Sequence, residues 1–274
     1  MSPPTYFDVA YLFNPWMTWR EEVIPRLARA QWRGLRDGLV AAGAQVDLLE
    51  AERSAPAMTF TRDIGMAIGQ RFLIFQNNGP RGDEEPTFVR AWLDARGIAN
   101  ELVPFPLEGG NVLPLADGRV LVGMPGSDQR AERYFAKLLQ RLNGPRCIGV
   151  PLVETPYVHL DLALSDLGGR GWLIFPPAFG WPALDDPRWR DVLGDRPVIE
   201  VSRADAERLA CNVVVVGDTV IGGWIPAPIR ERIAALGFNV IEITLDEFRK
   251  AGGGAHCLCL ESPNSITGRE RKIR

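Results

Sequence analysis

The sequence predicts an α/β fold in which five similar units close into a propeller-like ring. Three observations predict it. Five amphipathic segments each end in glycine, a short extended segment follows each glycine, and the glycines recur at a near-regular interval. They stand at positions 43, 97, 144, 194 and 237, with intervals of 54, 47, 50 and 43 residues. That period is too long for most helical solenoids and suits a strand-rich unit carrying one helix. A doubly wound parallel sheet is the competing reading, because strand and helix alternate there too. Its dinucleotide-binding form needs GxGxxG between the first strand and helix, and FNPWMTWREEVIPRL holds no such loop.

The first helix is expected over residues 25–43, with Ala28, Trp32, Leu35, Leu39 and Ala42 on one stripe and Gly34 and Gly38 interrupting it. The second spans 86–97 around Phe88, Val89, Trp92 and Leu93. The third spans 128–144 around Ala131, Phe135, Leu138 and Leu142. The fourth, 187–194, carries Trp189, Val192 and Leu193, and the fifth, 228–237, carries Ile229, Ile233 and Leu236. Steps of three and four place these side chains on one helical face, and glycine supplies the left-handed residue after the last turn. The segments QVDLLE, ELVPF, CIGVPL, PVIEVS and NVIEIT follow as strands. FLIFQ, VLVGM, GWLIF, VVVV and TVIGGW add further strands, with turns at Asp117-Gly118 and Gly217-Asp218.

No low-complexity stretch or linker divides the chain, so residues 1–274 are expected to form one domain. With 46% apolar and 24% charged residues, it can bury a core without staples. Lys and Arg total 31 against 34 for Asp and Glu, which argues against a nucleic-acid partner. The most apolar stretch, residues 212–229, contains Asp218, three glycines and two prolines, so no membrane span is expected. MSPPTYFDVAYLF lacks the pattern of a signal peptide, and Cys147, Cys211, Cys257 and Cys259 are too few for a disulfide scaffold. A cytoplasmic location is the expectation. Eight tryptophans and exposed blade edges suggest a homodimer. The tail GRERKIR reads as a solvated end.

Chemistry has few places to sit. The chain has two histidines, and histidine is the side chain suited to proton transfer near neutral pH. His159 lies in YVHLDLAL, where an extended strand would put it and Asp161 on one face. His256 adjoins Cys257 in AGGGAHCLCL, and strand alternation would send those two apart. TFTRDIG supplies Asp63 and PLEGGNVLPL supplies Glu108. Asp63, Glu108, His159 and Cys257 each follow a helix-ending glycine by 11 to 20 residues, so equivalent positions in a ring would bring them to one axis. Asn212 holds the comparable place in the fourth unit and is a weaker candidate. A thiolate is a strong nucleophile, and paired carboxylates favour a flat cation with several N–H donors. A guanidinium is such a cation, and its charge would help hold the thiolate. A zinc site is the alternative for the Cys/His set, but no CxxC pair is present.

Together FTRD, EGGN, HLD and GGGAHC, in that order over about 200 residues, make the chain resemble the guanidino-group-modifying superfamily. That group includes arginine deiminases, dimethylarginine dimethylaminohydrolases, agmatine deiminases and amidinotransferases. The resemblance implies a five-bladed α/β propeller, the pentein fold, with pseudo-fivefold symmetry. It implies Cys257 as nucleophile, His159 as general acid and base, and Glu108 as the carboxylate that holds the guanidinium and orients the histidine. Asp63 and Asp161 resemble the aspartates that clasp guanidinium nitrogens, and Arg130 an arginine that meets the substrate carboxylate. The implied reaction is hydrolysis of a C–N bond in an arginine-like guanidine through a covalent thiouronium, with no metal and no cofactor. Transfer of the amidino group to an amine is the alternative. A non-catalytic member of the same ring is a further one. Asn111 stands where the family commonly has Asp, and Cys259 where Ser or Thr is usual.

Overall fold

A computed structural model of the chain describes residues 1–9, 22–68, 71–76, 84–126, 128–142, 146–153, 157–181 and 183–261. Gly144 and the basic tail lie outside them. Helix α1 (Pro25–Ala41) starts on proline and buries Ala28, Trp32, Leu35 and Leu39, the expected stripe. Its internal glycines have a packing reason. A Cβ on Gly34 or Gly38 would come within 3.3 and 3.4 Å of the Ile243 side chain.

A unit of two antiparallel strands, a helix and a third strand then occurs four times among the described residues. The first is β1 (Gly65–Ile68), β2 (Arg71–Ile74), α2 (Glu85–Asp94) and β3 (Ala99–Leu102). The second is β4 (Val112–Pro114), β5 (Val120–Pro125), α3 (Arg130–Arg141) and β6 (Cys147–Leu152). The third is β7 (Leu164–Asp166), β8 (Trp172–Ile174), α4 (Pro187–Leu193) and β9 (Val198–Glu200). A short helix, α5 (Arg203–Ala206), leads to the fourth: β10 (Val213–Val216), β11 (Thr219–Gly222), α6 (Ala227–Ala235) and β12 (Asn239–Glu242). Helix α7 (Asp246–Arg249) follows.

Every sheet has the same order. Its first two strands are antiparallel and its last two parallel. A parallel pair cannot be closed by a tight turn, so the helix serves as the crossover. In three of these sheets the first strand begins opposite the carboxyl end of the second: Gly65↔Ile74, Leu164↔Ile174 and Val213↔Gly222.

The expectation of a strand at QVDLLE needs correction. Among the described residues there are four three-stranded sheets, and QVDLLE forms no strand. The Leu49 N–H bonds the Met1 carbonyl (3.0 Å) and the Met1 ammonium bonds the Asp47 carbonyl (2.9 Å), a two-bond closure rather than a ladder. What the start and end of the chain share instead is a core. Phe7 and the α1 stripe pack with Val214, Ile221, Leu245, Phe248 and Leu258.

Before the first strand of each unit the chain turns tightly. The 3-10 turns Thr61–Ile64, Gly109–Asn111 and Leu160–Leu162 precede β1, β4 and β7. Residues 209–212 do the same before β10, and Leu209 takes a left-handed φ of 63°. These turns, with residues 253–259, meet at the site.

Candidate active site

Hydrogen bonds link each turn to the next. The Arg62 N–H donates to the Cys257 carbonyl (3.0 Å) and the Thr61 hydroxyl to that of Leu258 (2.9 Å). The Gly110 N–H donates to Asp63 Oδ1 (2.8 Å), and buried Arg62 reaches the carbonyls of Gly109 (3.1 Å) and Val112. Asn111 donates through Nδ2 to the Val158 carbonyl (3.0 Å), and its Oδ1 accepts the Leu160 N–H (3.2 Å). Asn212 repeats that clasp. Its Nδ2 donates to the Asp161 carbonyl (3.2 Å), and its Oδ1 accepts the N–H groups of His256 (3.0 Å) and Cys257 (3.3 Å). An aspartate at 111 could not donate to Val158, which gives the EGGN departure a structural reason. Gly110 is required by close approach, since a Cβ there would lie 2.5 Å from His159 Nδ1.

Within this ring His159 stands at the head of its 3-10 turn, not on a strand. Its Nε2 meets Glu108 Oε2 at 2.7 Å and its Nδ1 lies 3.8 Å from Asp63 Oδ1. Burial opposes a charge on the imidazole, but the carboxylates of Asp63 and Glu108 outweigh it and push His159 up to about 10. His159 is therefore an imidazolium at neutral pH. Burial, aided by the Glu108 and Asp161 charges, lifts Asp63 to about 6 against the pull of His159.

Asp161 faces the other way. Its Oδ2 meets His256 Nδ1 at 2.7 Å and lies 3.8 Å from Cys257 Sγ. Burial works against its ionisation, yet the His256 hydrogen bond prevails and holds the carboxyl below its usual range. Its Oδ1 is buried with no hydrogen-bond partner among the described residues. Cys257 is pushed well above the usual thiol value, first by burial and then by the charges of Asp161 and Asp63.

Asp63, Glu108, His159, Asp161 and Cys257, all expected at a common site, thus stand together. Arg130 does not touch them. It lies exposed at the start of α3, with its guanidinium on both oxygens of Asp128. Two strand-based expectations fail. His159 and Asp161 point to different partners, and His256 shares the site with Cys257. The reason is that residues 253–259 form turns, closed by Leu258 N–H to Gly254 O (3.3 Å) and Cys259 N–H to His256 O (3.0 Å). Period-two alternation does not apply in a turn. The sequence signal for this was GGG, which breaks a strand. Among the described residues no group of three His, Cys, Asp or Glu side chains is arranged to hold a metal ion, and no helix is long and apolar enough to cross a membrane.

Known proteins share this arrangement of chain. The family model for eukaryotic N,N-dimethylarginine dimethylhydrolase matches residues 12–263. The bifunctional arginine dihydrolase/ornithine cyclodeaminase ArgZ of Synechocystis is 33% identical over 97% of this chain, which spans 38% of that protein. The dimethylarginine dimethylaminohydrolase of Mycobacterium tuberculosis is 30% identical, covering 95% of this chain and 84% of that one. The crystal structure of the ArgZ N-terminal domain with its substrate superposes with a TM-score of 0.85 at 30% identity, covering 96% of this chain and 97% of the other. The same domain has been captured covalently bound to a reaction intermediate, also at 0.85. The chain belongs to the dimethylarginine dimethylaminohydrolase family of guanidino-group-modifying enzymes.

Proposed function

We propose that the chain is a cysteine hydrolase that cleaves a C–N bond of an arginine-like guanidine. The observation that carries the reading is the unpartnered, buried Oδ1 of Asp161, on a carboxylate whose Oδ2 lies 3.8 Å from Cys257 Sγ. A carboxylate oxygen without a donor in a dry site is costly, and a guanidinium N–H would satisfy it with a charge-assisted bond. Asp63 and Asp161 clasp the planar cation from two turns. We also read the hub as the centre of a five-bladed propeller in one domain over 1–274. Its fifth blade is α1 and residues 246–260 with the chain start.

Before substrate docks Cys257 is a thiol. A bound guanidinium offsets the carboxylate charge, so the thiol releases its proton to solvent as the substrate docks. The thiolate attacks the guanidinium carbon. His159, already protonated, delivers its proton to the departing nitrogen, and ammonia or an amine leaves a thiouronium on Cys257. His159 then removes a proton from water, which attacks the same carbon. The adduct collapses to a ureido product, expelling the thiolate, and the remaining hydroxyl proton returns to the sulfur to restore the thiol. Glu108 holds His159 in place throughout.

ArgZ is named as an arginine dihydrolase and the mycobacterial relative as a dimethylarginine hydrolase. The substrate test is therefore incubation with arginine, methylated arginines and agmatine, assayed for ureido product and for a covalent adduct on Cys257 by intact mass. Turnover of at least one guanidine is expected, with Cys257→Ala inactive. No turnover of any guanidine would defeat the reading, and turnover only with an added amine would mark an amidinotransferase. We assign the far carboxylate of an amino-acid substrate to Arg130, an exposed cation at the start of α3.

A further inference from the structure

We infer that Asn212 is a further catalytic residue: its side-chain amide is aimed at the Cys257 sulfur and donates a hydrogen bond to the thiolate. The inference rests on the proposal that Cys257 is the nucleophile. It stands on the orientation of one amide group. The Asn212 oxygen accepts the N–H groups of both His256 (3.0 Å) and Cys257 (3.3 Å). Two donors cannot face an NH2, so the nitrogen must be on the other side. There it meets two acceptors, the Asp161 carbonyl (3.2 Å) and Cys257 Sγ (3.2 Å).

Asn212 is fully buried, at 0% exposure, and enters its strand from the left-handed turn at Leu209. The neighbouring chain is cut to fit it: a Cβ on Gly254 would lie 2.7 Å from the Asn212 oxygen. The groups charged around the sulfur otherwise oppose a thiolate. Asp161 Oδ2 is 3.8 Å away and is bonded to His256, and Asp63 adds a second negative charge. His159, the nearby cation, is engaged with Glu108 and Asp63. Asn212 is thus a neutral donor that touches the reacting atom before any substrate arrives. Asn111, its counterpart in the second unit, spends the same geometry on backbone alone.

The test is alkylation of Cys257 by iodoacetamide as a function of pH, read by peptide mass in the full-length protein without substrate. Asn212→Asp keeps an acceptor for the two N–H groups and removes the donor. Asn212→Ser is a neutral second variant. In Asn212→Asp the midpoint for alkylation is expected to rise by at least about one pH unit, with a tenfold slower reaction at pH 8. Asn212→Ser should fall between it and the unaltered protein. In turnover, kcat should drop by at least about tenfold and KM should change much less, because Asn212 touches sulfur and meets Asp161 through its backbone carbonyl rather than its carboxylate. A purely structural residue would lower the melting temperature and leave the alkylation midpoint in place; that result in either folded variant overturns the inference. Absence of guanidine turnover in the unaltered protein would remove the proposed reaction while leaving the alkylation result standing.

Discussion

Two histidine–carboxylate pairs meet in one hub and do opposite work. His159 sits between Glu108 (2.7 Å) and Asp63 (3.8 Å), and His256 sits on Asp161 alone (2.7 Å). Two carboxylates around one imidazole trap a proton, so the first pair stores an acid. One imidazole on one carboxylate steadies the anion, so the second pair stores a negative charge with one oxygen left to accept from a ligand. The contrast teaches that charge count around a group, rather than the residue types in contact, sets its role.

The largest expected effect comes from emptying the proton store. His159→Asn should lower kcat by about 10³-fold, because the acid for the leaving nitrogen is gone. Steady-state turnover of whichever guanidine is a substrate measures it, and a loss under tenfold would mean another group is the acid. Gly110→Ala attacks the same pair by collision with Nδ1 and should cost about 10²-fold in kcat/KM; near-normal kinetics would show that the ring has room to move.

Breaking the second pair should act on binding. His256→Leu removes the donor to Asp161 and should raise KM about tenfold, whereas His256→Asn, whose amide can replace Nδ1, should stay within about threefold. Equal damage from both would deny the pairing its function.

The acid limb follows from Asp63. Its carboxylate must be charged to hold the cation, and its value in the folded protein is about 6. The kcat/KM of the proposed reaction should therefore decline as pH falls through 6; a flat profile from pH 7 to 5 would remove Asp63 from the clasp. His159 adds a linked effect on stability. Its folded value is raised from 6.5 to about 10, so its contribution is complete below pH 6.5 and is lost as pH rises toward 10. Melting temperature should drop over that window, and His159→Asn should flatten the drop. The smallest effect belongs to Arg130, which must leave Asp128 to reach a ligand. Arg130→Ala should raise KM for arginine by a few-fold and leave agmatine, which has no carboxylate, unchanged; equal effects on both would end that assignment.

Much of this was legible in the residues themselves. The glycine period located α1, α2, α3, α4 and α6, and CIGVPL is β6 to the residue. Order along the chain also named Asp63, Glu108, His159 and Cys257, because equivalent places in a repeat are fixed by chain length, and the HLD motif added Asp161. QVDLLE misled because strand propensity cannot supply a partner strand. His256 misled because its segment was given a period of two, while GGG folded it into a turn.

Residue types and their spacing set which side chains could do chemistry and that they recur at matching places in a repeat, since both are properties of a single chain. What each of them does was settled by folding. Whether a histidine keeps its proton, which end of an amide faces the sulfur, and which carboxylate oxygen is left for a ligand all depend on groups 44 to 96 residues away. Those groups act over a few ångströms in a medium with little water to screen them.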